Sequence, residues 1–228
     1  HMAVYKNSFK MARFLCNYIK ECQAINEEER PRLLERWVNK QTIGDEGFTP
    51  LHFASFHGNL ELVRYLLNLG GQLNSANKHS INLMHVAAQG DQPASLGFFK
   101  KHGLDVNVRD SKRSTPLHWA CYAGAESSVA YLLAWDAEVN AEDASGLTPL
   151  HLAIKASEEL KSTRSVRHLL IKGADRNMKD KMGRTPMDIA QEIQHQVIKQ
   201  ELMIFLEEPR ALQCFMMKTP LKQIEKSP

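Results

Sequence analysis

The tetrapeptide Thr-Pro-Leu-His begins at Thr49, Thr115 and Thr148, and a degraded copy, Asn-Leu-Met-His, begins at Asn82. The histidines set the ruler: His52, His85, His118 and His151 each stand 33 residues from the next. A fifth copy, Thr185-Pro186-Met187-Asp188-Ile189-Ala190, comes 37 residues after the fourth by the same landmark, so repeat four carries four extra residues. Units of this length bury their apolar faces only against their neighbours, and a fixed period of this size is the signature of a helical solenoid.

The second half of each unit repeats as well. Leu62 to Leu67 leads to Gly70 and Asn74, Leu96 to Phe99 to Gly103 and Asn107, Val129 to Leu133 to Asn140, and Val166 to Ile171 to Gly173 and Asn177. On these residues the chain resembles the ankyrin-repeat family, whose unit is a β-turn finger, a first helix opened by TPLHxA and a second helix closed by glycine. The resemblance implies an all-α fold: an ankyrin-repeat α-solenoid of about five helix-turn-helix repeats with β-turn fingers, preceded by an N-terminal helical cap.

With 29 basic and 26 acidic side chains in 228 residues and a net charge of +3, the chain has no strong electrostatic footprint, and nucleic acid is not indicated as a partner. No stretch approaches the ~20 apolar residues needed to cross a bilayer, and the N-terminus lacks a secretory pattern, so no direct membrane insertion is expected of this segment. Cys16, Cys22, Cys121 and Cys214 are scattered without CxxC spacing, which argues for reduced thiols in a cytoplasmic or nuclear setting and against zinc. His1-Met2 reads as a vector-derived remnant, with the native start expected elsewhere.

Three segments are expected: residues 1–43 as a degenerate capping repeat, 44–206 as repeats one to five, and 207–228 as a tail or linker. In the first, Ser8 to Gln23 forms a helix with Phe9, Ala12, Phe14, Leu15, Ile19 and Cys22 as contacts, and Pro31 opens a second helix to Lys40. Within each later unit Thr caps the first helix and Pro presets its first φ. Gly47, Gly146 and Gly183 sit where the finger needs a positive φ; Ser80 and Arg113 replace glycine in repeats two and three and predict altered or strained fingers. Repeat two has Pro93 where its second helix begins, and the extra residues of repeat four fall between Ser157 and Ser165, in the turn between its helices. The tail is basic and partly apolar, with Phe215, Lys218, Lys222 and Lys226.

Four evenly spaced histidines invite a metal or acid–base reading, but one per repeat places neighbouring rings too far apart for one ion. The resemblance assigns them instead to hydrogen bonds that tie the fingers. No HExxH, CxxC, GxGxxG, P-loop or GxSxG pattern is present, so no catalytic residue, metal or cofactor is expected. The solenoid's concave face is the expected binding surface. The register places Phe48, Ile81, Lys112, Leu147, Met182 and Arg184 at the fingers, and Phe56, His57, Gln89, Trp119, Tyr122 and Lys155 on the first helices. Phe48, Phe56, Ile81, Tyr122 and Leu147 are apolar at positions the stack does not need, as in a protein contact. Trp135, with Asp136 in place of glycine, is expected to expose an indole or to cover the repeat-four insertion.

The expected function is a non-catalytic protein–protein interaction module, monomeric, gripping a partner protein or peptide in the concave groove. Two alternatives share the scaffold. TPLHWA at 115–120 with a lysine-rich tail resembles the cytosolic ankyrin domain of DHHC-type palmitoyl acyltransferases, which implies a regulatory or substrate-recruiting segment of a larger membrane enzyme. An ankyrin-type inhibitor of a transcription factor or kinase is the other.

Overall fold

The computed structural model describes residues 2–22, 26–43 and 46–207. The tail from 208, with its basic and apolar residues, lies outside the described residues, as do Gly44 and Asp45 at the expected start of repeat one.

Among the described residues the chain is all helical apart from one isolated bridge between Ala76 and Asn82. The inner row is α4 (Pro50–Phe56), α6 (Leu83–Gln89), α8 (Pro116–Ala123), α10 (Pro149–Leu160) and α12 (Pro186–Glu192). The outer row is α5 (Leu60–Asn68), α7 (Pro93–Lys101), α9 (Glu126–Ala134), α11 (Arg164–Ile171) and α13 (Gln196–Glu207). Each inner helix packs on the next inner helix and on its own outer partner. Alanine fixes the inner spacing: Ala54, Ala87, Ala120, Ala153 and Ala190, the last position of TPLHxA, are all buried. The outer row closes on Leu66, Phe99, Leu132, Leu169 and Leu202, also at the repeat period and buried.

Three of the repeat histidines, His52, His85 and His118, are the joints of this stack, while His151 closes the cap of its own helix and its Nε2 has no hydrogen-bond partner among the described residues. His52 Nδ1 accepts from the Thr49 N–H at 3.3 Å, closing a capping box, so Nε2 is left to donate to the Ile81 carbonyl of the next finger at 3.0 Å. His85 reaches Ser114 O and His118 reaches Leu147 O in the same way, both at 3.1 Å. Burial pushes the His52 imidazole down to about 4 and lowers His85, His118 and His151 in the same sense. In repeat five Asp188 replaces the histidine and only caps its own helix, with Oδ2 accepting from Thr185 N at 2.7 Å.

Fingers two to five are each organised by their first residue. Asp110 Oδ1 accepts from Lys112 N and Ser114 N, both at 2.8 Å, and Asn77, Asp143 and Asp180 do the same in their own fingers. Ser80 and Arg113 hold the turn that glycine holds elsewhere, with φ of 57° and 61° against 72° at Gly47. Fingers two and three are therefore not altered; they keep the geometry and carry the strain.

The N-terminal region differs from its expected pairing. A short helix, α1 (Met2–Tyr5), leans on α4, with α2 (Phe9–Glu21) behind it, so these two occupy the layer before repeat one. The second expected helix is α3 (Arg30–Val38), and it ends in a clasp: Asn39 Nδ2 donates to Gly70 O at 2.8 Å and Oδ1 accepts from Gln72 N at 2.9 Å. Asn140 makes the same clasp on Gly173 O and Asp175 N. Phe14 and Leu15, expected as contacts of α2, are exposed, because the buried face of that helix runs through Ala12 and Ile19.

Two further corrections concern repeats three and four. The extra residues form no loop: they lengthen α10 by about one turn, which keeps its faces in register because a turn takes 3.6 residues. Lys161, at φ 50°, then makes the turn that Gly124 makes one repeat earlier. Trp135 packs backward, away from this insertion. Its ring lies over α7 beside Gly97, with Lys100 Nζ 4.9 Å from the ring centroid.

Candidate functional site

The first three inner helices, the first two fingers and α1 enclose one groove of about 760 Å³ on the concave side. Phe48, Phe56, His57, Ile81, Gln89, Trp119 and Tyr122, all selected from the sequence, line it together. Its remaining walls come from residues the sequence reading did not choose, chiefly Tyr5, Lys6, Phe53 and Val86. Tyr5 went unnoticed because α1 is too short to show helical periodicity; its part in the site depends on the fold returning it to α4.

The walls are held rigidly. Tyr5 meets Phe53 edge-on with centroids 5.7 Å apart, and Phe53 meets Phe48 at 6.0 Å. His57 Nε2 lies 2.9 Å from the Tyr5 carbonyl, which fixes the end of α1 at the groove margin. Trp119 is half-buried and oriented by its indole N–H, which donates to Asp110 Oδ2 at 3.0 Å, so it serves both packing and the groove wall. Phe56, Tyr5 and Tyr122 are the exposed aromatic side chains of the groove, at 39%, 53% and 67% exposure.

Trp119 and Tyr122 also border a smaller adjoining hollow of about 220 Å³, lined further by Lys112, Asp143 and Leu152. The remaining selected residues lie outside both hollows. Leu147 is half-buried, its carbonyl held by His118 and its N–H by Asp143. Lys155 and Met182 are exposed toward the C-terminal end, and Arg184 is engaged with Asp180 through Nε and Nη2 at 3.0 and 2.9 Å. Ile81, expected in the open, is buried at 7% exposure because the His52 joint draws its backbone into the stack.

Chemically the site is an apolar, aromatic-walled groove with few polar groups, of the size and make-up of a recognition site. Cys121 is fully buried and burial raises its thiol, which keeps it protonated and away from the groove. Among the described residues no group of three or more His, Cys, Asp or Glu could hold a metal ion, and no helix is long and apolar enough to cross a membrane.

Repeated helix pairs, tied finger to finger and presenting a concave groove, define a helical-repeat protein-interaction module. Comparison with known families agrees: the family model described as Ankyrin repeats (3 copies) matches residues 1–77 and 83–180. The chain belongs to the ankyrin-repeat family. It is similar to NF-kappa-B inhibitor alpha of Gallus gallus, 32% identical over 105 residues, which cover 44% of this chain and 32% of that protein. The Homo sapiens protein of the same name is 33% identical over 112 residues, 46% of this chain and 35% of that one. Alpha-latrotoxin-Lt1a of Latrodectus tredecimguttatus is 36% identical over 81 residues, 35% of this chain and 6% of the toxin. The chain thus spans about a third of the length of the NF-kappa-B inhibitor alpha proteins it matches.

Proposed function

We propose that this segment is a non-catalytic scaffold that holds a partner protein or peptide in its concave groove, anchored on the aromatic hollow between α1, α4, α6 and α8. The observation that carries the reading is the convergence of Phe48, Phe56, Trp119 and Tyr122 on one open groove, while the histidines and finger aspartates are consumed in holding the stack. Rigid walls cost little ordering entropy when a partner docks, so contact area there converts efficiently into affinity.

The test is affinity capture of partners from native extract with the wild-type chain and with Phe56→Ala and Tyr122→Ala, followed by titration of the recovered partner. Each variant is expected to weaken binding at least about tenfold, roughly 1.4 kcal/mol, with an unchanged unfolding temperature. Equal affinity in both variants would remove the groove from consideration. A second reading is favoured by the similarity to proteins named as NF-kappa-B inhibitors: the groove occludes a transcription-factor surface. It predicts that the captured partner loses its own activity while bound.

A further inference from the structure

Beyond the aromatic hollow the concave face changes character. Fingers two to five are stitched tip to tip by backbone hydrogen bonds, Ser111 N to His79 O at 2.9 Å, Ala144 N to Lys112 O at 2.7 Å and Lys181 N to Ser145 O at 3.0 Å. The tips therefore form a fixed line, and Lys112, Arg113 and Lys181 stand exposed on it, with Lys155 exposed on α10. None of these four has an ion-pair partner among the described residues, whereas Arg184 nearby is matched by Asp180 and Glu192. The carboxylates near this face are Glu46 at the opposite end, beside the aromatic hollow, Asp110 and Asp143, which line the smaller hollow with Lys112 and accept from the N–H groups of their own fingers, Glu192 in its pair, and Glu159 one turn beyond Lys155. A chain with 29 bases against 26 acids has no general surplus that would place unmatched cations here.

We propose that the partner segment taken by this face is acidic on one side of an apolar anchor: a large apolar residue fills the aromatic hollow, and carboxylates downstream of it lie over Lys112, Lys155 and Lys181. This rests on the concave-groove reading above and adds the chemical class and polarity of the ligand. Charge complementarity carries it, because unmatched cations in a row select an opposite row and repel a basic one. Spacing follows from the scaffold. Helix layers lie 8–10 Å apart and an extended chain advances about 3.3–3.6 Å per residue, so one repeat equals about three residues. Lys112 lines the smaller hollow that adjoins the aromatic one at Tyr122, which places the first carboxylate about three residues from the anchor and later ones about six to nine away. Single-stranded RNA also uses aromatic rings and basic side chains, but it needs both at every step along the strand; here the aromatic half holds Lys6, 5.8 Å from the Tyr5 ring centroid, while Lys112, Lys155 and Lys181 lie beyond the aromatic walls.

The experiment pans a random dodecapeptide phage library on the immobilised chain, then measures the enriched peptides, and an oligouridine of equal length, by fluorescence anisotropy. Enriched peptides are expected to carry an aromatic or aliphatic anchor with Asp or Glu on one side of it. The double variant Lys112→Glu, Lys181→Glu should lose about tenfold in affinity with an unchanged unfolding temperature, and raising salt from about 50 to about 500 mM should weaken wild-type binding similarly. Peptides that depend on Phe56 and Tyr122 but show no acidic bias, or ignore the charge reversal, overturn this inference and leave the groove reading standing. Tighter binding of the oligouridine also overturns it. Failure to enrich any peptide that depends on Phe56 or Tyr122 sinks both.

Discussion

Ser80 and Arg113 occupy finger turns at φ of 57° and 61°, a region where a side chain costs about 1 kcal/mol relative to glycine. Asp136, at φ 61° where Gly70, Gly103 and Gly173 close the other outer helices, is in the same position. Ser80→Gly and Arg113→Gly are each expected to stabilise the chain by up to about 1 kcal/mol, read as a higher urea midpoint with an unchanged slope. Gly47→Ser should move the midpoint the other way. An unmoved midpoint for Arg113→Gly would mean that the guanidinium makes a compensating contact.

At the scale of single elements, α10 shows how four inserted residues are absorbed. Its added turn lays Leu160 over Gly124, and Glu158 Oε1 accepts from Gln194 N and His195 N at 2.7 and 3.1 Å, holding the turn that leads into α13. Glu158→Ala is expected to cost about 0.5–2 kcal/mol and to speed hydrogen exchange in α13 before the rest of the stack. At the other end, α2 turns Phe14 and Tyr18 outward, each 65% exposed, although a terminal repeat stays soluble through a polar outer face. Replacing both by lysine should raise the solubility limit while changing stability by less than about 0.5 kcal/mol. Sedimentation at rising concentration checks this, and unaltered self-association in the variant would refute it.

For the whole molecule, cohesion runs through joints that repeat, and the joints share a titratable group. His52 is held near 4 in the folded chain by burial against 6.5 for the free imidazole, and His85, His118 and His151 are lowered likewise. Above pH 6.5 both states are neutral and the joints contribute in full. As pH falls below that the unfolded chain takes up protons that the folded chain refuses, so stability is lost between 6.5 and about 4. His52 alone accounts for roughly 3 kcal/mol over that window. Urea midpoints between pH 7 and 4.5 should fall steadily, and His52→Gln should flatten part of the slope. A flat wild-type profile would contradict the joints as described.

How much of this was legible before folding follows from the range of each interaction. The repeat, its helices, the capping threonines, the positive-φ positions and the structural use of the histidines are local or strictly periodic, so the chain declares them: the same backbone problem is solved by the same residue type every 33 positions. Register alone also placed Phe48, Phe56, Trp119 and Tyr122 on one face. What stayed hidden came from contacts between residues far apart and not at the period. Tyr5 joins the groove because His57 holds α1 on α4, Ile81 is buried because His52 pulls its carbonyl inward, and Trp135 turns back onto α7 beside Lys100. The sequence by itself determined the unit and the order of stacking, since both follow from short-range propensity and period. Only the tertiary structure decided which side chains are left over once each layer has closed on the next, because that depends on packing in three dimensions.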